Sequence, residues 1–499
     1  MSALRTTSGP NKAWRGNRVT PAYAQRPGPA MAPAMAQAAP APGLRAGGRR
    51  HPFAEPEIAR DLDRREAEVE TGFATLSETL RGLAPQQFDA GFPDQAAARL
   101  AAIGFDTDPA WFEADWTTPL NMGALHARAA CRLFATLVKS GTERDRYASD
   151  DGEPVDVLIR RWGFHAVDIT PCADGRLAGL LGAVLRIPLS IVTARKSFAG
   201  AMFNVAQNLH EWEEVELTRH REGRPNRPDA GTRYLKVGVY HFSSVDPSHA
   251  GCAAHGSCNS RAITALHERL IEFQAAAQAM HGAGDEIALL LIGLDTDTDA
   301  IRVHVPDAAG RMDPDRFVDA ADLYRMTLDK PRDAAKEAVR TEVARAAGVH
   351  PDDTATEGMR WFCGYLLKNN IAQVDAVLQK FAGPYIEAGH AEKLIVIGDP
   401  VDDVQLRNLA FQAQMNSVEE GAADLRVGLH ILGARMHTVP VLVLRSYDPD
   451  IPGDDAAAAE VARRMRAAVL AMRPDTALEV EAALRPGTGG ALEFLEAEQ

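Results

Sequence analysis

Phe164-His-Ala-Val-Asp-Ile-Thr-Pro-Cys-Ala-Asp-Gly-Arg-Leu177 is the stretch on which the fold of this chain turns. Residues 164–170 read as a strand that ends at Pro171. Cys172, Asp174 and Arg176 follow at the strand's end, where side chains can leave the sheet and face a cleft. In extended backbone, residues two apart share a face, so a thiol, a carboxylate and a guanidinium are expected around one small volume. Outward from here, strands alternate with helices. Helices are expected over 177–185 and 198–219, a Pro/Gly/Asn/Asp loop over 224–232, and a strand over 233–242. A long helix over 261–280 and a strongly apolar strand over 286–294 follow. This alternation predicts an α/β domain with a largely buried sheet.

Upstream, Ile58, Leu62, Val69, Phe73, Leu76, Leu80 and Leu83 recur at helical spacing, and 97–103 and 125–137 repeat the signal. No constellation of chemical groups appears there. Downstream, 331–381 is expected to be helical, with strands returning at 393–398, 425–432 and 439–445. Four parts result: a tail over 1–54, a helical domain over 55–147, an α/β domain over 148–390, and a C-terminal domain over 391–499. The last looks like a degenerate repeat of the third. Pro171-Cys-Ala-Asp-Gly-Arg-Leu177 is matched by Pro400-Val-Asp-Asp-Val-Gln-Leu406, with Val401 at the place of Cys172 and Gln405 at that of Arg176. Leu235-Lys-Val-Gly-Val239 is matched by Leu425-Arg-Val-Gly-Leu429.

Bulk composition narrows the class. The 499 residues carry a net charge of −14, with 46% hydrophobic and 24% charged residues, which is ordinary globular make-up. That charge argues against nucleic acid or an anionic membrane surface as partner. The longest apolar runs, such as 287–294, are strand-length and too short to span a bilayer. Five scattered cysteines in so long a chain do not make a secreted disulfide framework and leave thiols free for metal or burial. The first fifty residues contain eight basic residues and no acid, with abundant Pro, Ala and Gly. Such a segment is expected to be disordered. It lacks the compact apolar stretch of a secretory signal. It reads as an inert tail, a transit peptide, or a basic arm that docks on an acidic protein surface.

The chemistry centres on Cys172, Asp174 and Arg176 with His241 and Cys252. His241 ends a strand on the same face as Leu235, Val237 and Val239, and strand ends of a parallel sheet commonly converge on a ligand. Two thiolates and one imidazole suit zinc and leave a fourth position for water, which such a site can deprotonate near neutral pH. Two thiolates cancel the ion's charge, so a further group must orient the hydroxide and handle protons. Asp174 is placed for that, with Arg176 holding it ionised by a bidentate pair.

This constellation resembles the β-class carbonic anhydrases, whose Cys-x-Asp-x-Arg segment supplies one ligand and a catalytic pair. Their usual His-x-x-Cys is replaced here by His241-Phe-Ser-Ser-Val-Asp-Pro-Ser-His-Ala-Gly-Cys252. That longer insertion, with PCADGRLAG, RYLKVGVYHFSS, GCAAHGS, LLLIGLDTDTDAIRVH, GHAEKLIVIG and SVEEGAADL, is similar to the carboxysomal carbonic anhydrases, a divergent β-class family of α-type carboxysomes. The likeness runs from about residue 55 to 447. It implies reversible hydration of carbon dioxide to bicarbonate by zinc-bound hydroxide, a lyase reaction that supplies Rubisco inside this bacterial microcompartment. It further implies Zn2+ at Cys172, His241 and Cys252, Asp174 as proton acceptor paired with Arg176, and a nearby histidine that here is His390. Expected with it are a β-carbonic-anhydrase-like catalytic domain, a metal-free C-terminal half-copy, a homodimer or larger homo-oligomer, and a tail that tethers the enzyme to Rubisco.

Blander readings stand beside these. His249 lies three residues before Cys252 and is the rival ligand to His241. Cys252, His255 and Cys258 could form a structural metal clip, although closed zinc sites usually want four ligands. Asp295-Thr-Asp-Thr-Asp299 begins like a calcium loop but lacks its later glycine and glutamate, so a turn between strands is expected. Cys131 and Cys363 sit on apolar helix faces, as buried free cysteines do. The other functional classes are a structural zinc scaffold and a different zinc hydrolase. A deaminase is disfavoured because the His-x-Glu and Pro-Cys-x-x-Cys pattern is missing.

Overall fold

A computed structural model describes residues 49–499 apart from 106, 108, 113–120, 141–151, 189, 225–231, 355, 386–389, 400–406, 473–476, 488–489 and 497–499. The tail before residue 49, and the 400–406 side of the first repeat match, lie outside the described residues.

Three helices open the described chain: α1 (Pro56–Leu83), α2 (Phe92–Ala101) and α3 (Met122–Ser140). After α4 (Val155–Arg161) comes a six-stranded sheet built from β1 (Phe164–Pro171), β2 (Val192–Arg195), β3 (Arg233–Phe242), β4 (Ile287–Asp295), β5 (Ile301–His304) and β6 (Val318–Asp319). Its spatial order is β2-β1-β3-β4-β5-β6, with the first four strands parallel and the last two antiparallel. α5 (Val205–Arg221) and α6 (Asn259–His281) cover one face. α7 (Ala320–Thr327), α8 (Arg332–Ala347) and α9 (Glu357–Phe381) cover the other. The period-2 geometry of a strand explains how β3 feeds both cores: Leu235, Val237 and Val239 pack toward α7–α9, and Tyr234, Tyr240 and Phe242 toward α5 and α6. Every residue of β4 is buried, the signature of a sheet covered on both sides.

The second sheet consists of β7 (Leu394–Gly398), β8 (Ala410–Gln414), β9 (Thr438–Tyr447), β10 (Ala477–Pro486) and β11 (Glu493–Phe494), ordered β11-β10-β9-β7-β8. α10 (Ala422–Gly433) and α11 (Asp454–Ala471) cover one face. The other face is covered by the N-terminal helices: Val69, Phe73 and Leu76 of α1 and Leu125 and Phe134 of α3 share a core with Leu394, Val396, Leu442 and Leu444. The helical segment is therefore the lid of the C-terminal sheet, and its apolar stripe finds its partner more than 250 residues away in sequence. No described helix is long and apolar enough to cross a membrane.

Three expectations need correction. Residues 425–432 are helical, within α10, because Leu425, Gly428, Leu429 and Leu432 form one buried face at helical spacing; the proposed match with β3 fails with them. The body of the protein also begins before residue 55. His51 is buried, its backbone N–H donating to Asp375 Oδ1 at 3.1 Å, and Phe53 sits in the core with Val155 and Ile159. Third, neither helix expected after β1 holds as drawn: residues 177–185 are a 3-10 turn at Gly175–Leu177 followed by a π-helical turn at Leu180–Leu185, and of 198–219 only the part from Val205 is α-helical, after a 3-10 turn at Ala199–Ala201 and the Asn204 cap.

Even so, the two sheets share a plan. Order β2-β1-β3-β4-β5 in the first corresponds to β8-β7-β9-β10-β11 in the second, with the fifth strand antiparallel in both. After β1, Cys172 N–H donates to the Val239 carbonyl at 3.2 Å; after β7, Asp399 N–H donates to the Leu444 carbonyl at 2.9 Å. This register sets Asp399 opposite Cys172, and Ser446 opposite His241, in place of the Val401 match. Ser446 N–H donates directly to the Asp399 carboxylate.

Candidate metal centre

Cys172 leaves the end of β1 and His241 stands near the end of β3, so the parallel pairing of these strands brings both to the same sheet edge. Cys252 reaches them from the loop before α6. One ligand atom from each of the three lies within 4.8 Å of the others, and all three residues are buried. The Cys172 and Cys252 sulfurs are 3.9 Å apart. His241 Nε2 is a buried nitrogen without a hydrogen-bond partner; Asp174 Oδ2 stands 3.4 Å away, outside bonding geometry. An orphaned imidazole nitrogen beside two sulfurs is the donor set that a thiophilic divalent ion satisfies. The hydrogen bond to Cys252 and burial raise the Cys172 thiol well above its ordinary value, while accepting that bond lowers Cys252.

The sulfur of Cys172 also accepts the Gly200 N–H at 3.3 Å. Gly200 has φ +67°, and a Cβ there would lie 2.5 Å from His255 Nε2, so only glycine lets this amide approach. The adjacent Ala199 N–H donates to Asp424 Oδ1 of α10 at 3.0 Å. The second sheet thus helps to hold the loop that faces the sulfur.

Asp174 and Arg176 meet by a different route from the one expected. The backbone does not stay extended after Cys172: Asp174 caps the 3-10 turn Gly175–Leu177, its Oδ1 accepting Arg176 N–H at 2.9 Å. Arg176 then folds back as a fork, Nε to Oδ1 at 3.0 Å and Nη2 to Oδ2 at 2.8 Å. Its Nη1 donates to the Ala250 carbonyl at 2.8 Å and to Thr296 Oγ1 at 3.3 Å. Burial pushes the Asp174 carboxyl up, but the guanidinium of Arg176 and the imidazoles of His390 and His241 more than reverse this and hold it well below the usual carboxylate range.

His390 joins the same cluster. Its Nδ1 lies 3.4 Å from Asp174 Oδ2, its Nε2 lies 3.2 Å from Arg176 Nη2, and its side chain is 19% exposed. Two groups went unread in the sequence. Glu392, fully buried, meets His390 Nδ1 at 2.9 Å, and Arg435 meets Glu392 at 3.0 Å. The only local signal was the position of Glu392 two residues after His390.

The rival groupings do not assemble. His249 is exposed and paired with Asp246 at 2.9 Å. Among the described residues, Cys252, His255 and Cys258 form no metal-sized group; His255 Nε2 lies by the Gly200 carbonyl at 3.3 Å and Cys258 by Ser260 at 3.3 Å. Residues 295–299 form a buried turn between β4 and β5, and donors within the fold engage each carboxylate: Ser244 and Thr298 on Asp295, Ser243 and Val245 on Asp297 Oδ2, and Gln373 and Tyr385 on Asp299, with Asp297 Oδ1 left without a partner among the described residues. Cys131 and Cys363 are wholly buried, and burial pushes the Cys363 thiol up to about 12.

Fold and cluster together define an α/β protein with a buried Cys-His-Cys donor group, of a size that could hold a metal ion, beside an ion-paired aspartate. Family models for carboxysome shell carbonic anhydrase match it in three consecutive parts: the N-terminal part over 51–141, the catalytic domain over 154–390 and the C-terminal part over 391–483. The carboxysome shell carbonic anhydrase of Halothiobacillus neapolitanus is 38% identical over 432 residues, covering 84% of each chain. Those of Prochlorococcus marinus (strain MIT 9313) and Parasynechococcus marenigrum are 40% and 39% identical, each over 81% of this chain and over 79% and 71% of the relative. This chain belongs to the carboxysome shell carbonic anhydrase family.

Proposed function

We propose that this protein interconverts carbon dioxide and bicarbonate within the carboxysome, using a zinc ion held by Cys172, His241 and Cys252. The observation that carries this is the convergence of those three buried donors beside Asp174, an acid whose charge is fixed by Arg176. Zinc bound there supplies a Lewis acid that makes water nucleophilic at neutral pH. The remaining work falls to the chain. With both oxygens held by the Arg176 fork, Asp174 keeps one orientation and can only accept a hydrogen bond; it accepts one from the reacting water and turns the water's lone pair toward carbon dioxide. Thr296 and the Ala250 carbonyl keep Arg176 from following the carboxylate toward the metal. His390, partly exposed and beside Asp174, carries protons between this buried acid and solvent.

The direct test is stopped-flow carbon dioxide hydration by the purified full chain before and after chelation. Activity that disappears with the metal and returns with Zn2+ is expected. A protein inert with its metal in place would contradict the enzyme and favour a structural zinc scaffold.

The C-terminal part is read as a degenerate copy of the catalytic one, on the strength of the shared strand order and of Asp399 and Ser446 at the ligand positions. Supply of carbon dioxide to Rubisco, tethering through the basic tail, and assembly as a homodimer or larger oligomer follow from the family resemblance and the tail's charge. Immobilised Rubisco should retain the full chain at low salt and release a chain that begins at residue 51; equal retention of both would remove the tether. Light scattering that finds a monomer would remove the oligomer.

A further inference from the structure

We propose that Glu392, clamped by Arg435, is a positioning residue that fixes the tautomer and aim of His390, so that the C-terminal sheet and its helix α10 complete the proton path of the catalytic half. This role rests on the reading of His390 as the link between Asp174 and solvent, given above.

Glu392 is fully buried and each of its oxygens is engaged. Oε1 accepts the Gly175 N–H at 3.2 Å and faces His390 Nδ1 at 2.9 Å; Oε2 accepts from Arg435 Nη2 at 3.0 Å. Arg435, just past the end of α10, also donates through Nη1 to the His390 carbonyl. Gly175 is shaped to this arrangement, since a Cβ there would lie 2.6 Å from Glu392 Cγ and 2.7 Å from the Ala410 carbonyl of β8. Backbone bonds tie the same turn to the second sheet: Asn408 N–H donates to Gly175 and Gln412 N–H to Ala173, at 2.8 and 3.0 Å.

Donor inventory then fixes the imidazole. A guanidinium only donates, so His390 Nε2, 3.2 Å from Arg176 Nη2, must present its lone pair. The ring proton of neutral His390 therefore sits on Nδ1, where Glu392 accepts it. A buried carboxylate-arginine pair is often merely structural. This one differs in gripping both the ring and the backbone of a partly exposed histidine that touches Asp174. Hydrogen bonding of this kind to a functional imidazole sets which nitrogen carries the proton.

Glu392→Gln tests the role. Glutamine keeps the volume but not the charge, and each setting of its amide meets a donor: NH2 at the Oε1 place opposes the Gly175 N–H and demands the opposite tautomer of His390, while NH2 at the Oε2 place opposes Arg435 and releases the clamp. Expected are unchanged zinc content, kcat lower by about tenfold, KM for carbon dioxide within about twofold of wild type, and recovery of most of kcat when an imidazole buffer is added. Wild-type kcat, or a loss that buffer does not restore, would overturn the proposal. If the variant misfolds, Arg435→Met, altered at a partly exposed side chain, should show a smaller buffer-restored loss; wild-type kcat there would again overturn it. His390→Ala run in parallel separates the two levels. Its own buffer-restored loss beside an unaffected Glu392→Gln would sink the positioning role alone, whereas an unaffected His390→Ala would sink the underlying reading of His390.

Discussion

Cys172→Ser is expected to purify with little bound zinc and with hydration activity down on the order of a thousandfold or more. A serine hydroxyl stays protonated at neutral pH and is a poor ligand for zinc beside a thiolate and an imidazole. The exchange is nearly isosteric, and the strand end that carries residue 172 is held by backbone bonds to Val239 and Phe198, so folding should survive. His249→Ala supplies the contrast: its exposed ring is bound to Asp246, and metal content and activity should both persist. Metal analysis beside stopped-flow rates reads both variants. A fully loaded, fully active Cys172→Ser would remove this residue from the ligand set.

Asp174→Asn is expected to separate metal binding from catalysis. The ligand atoms are untouched, so zinc should remain, while kcat falls by about 10²- to 10³-fold as the carboxylate acceptor is lost. Because Arg176 donates to both oxygens of the carboxylate, either orientation of asparagine sets its NH2 against an Arg176 donor, and one of the two also turns that NH2 toward the reacting water in place of an acceptor. Stability should fall too. Arg176 is fully buried and loses its counter-ion, although the Ala250 carbonyl, Thr296 Oγ1 and His390 Nε2 still accept from it. Roughly 3 kcal/mol is the order of magnitude for breaking a buried pair from one side. A thermal melt and metal analysis on one sample check this. Wild-type turnover with zinc bound would end the assigned role of Asp174.

Much of the catalytic half was legible because its signals are local or regular. β1, β3 and β4 are long apolar strands, and Cys172, Asp174 and Arg176 lie within five residues of one another, so any tight turn brings them together. The turn itself was misread as extended chain, since Asp174 capping its own 3-10 turn overrides strand geometry. Residues 425–432 illustrate another boundary: a short apolar run fits strand or helix equally well, and packing against β7 and β9 decides for α10. Glu392 and Arg435 were beyond reach for a different reason. Glu392 meets Gly175 across 217 positions, and the 43 residues from Glu392 to Arg435 include β7, β8 and α10. Nothing in local spacing announces a pairing set by how one sheet docks on the loop of another. For the same reason the N-terminal helices looked like a domain of their own, although their apolar stripe belongs to the second sheet.

The most direct test of the metal centre is X-ray absorption spectroscopy at the zinc edge on the purified full chain, with metal content measured on the same sample. One zinc per chain with two sulfur neighbours near 2.3 Å and lighter N/O neighbours near 2.0 Å is the expected result, with one sulfur lost from the shell of any zinc that remains in Cys172→Ser. A shell of four sulfurs, or zinc that keeps both sulfurs when Cys172 is replaced, would contradict the site assigned to Cys172, His241 and Cys252.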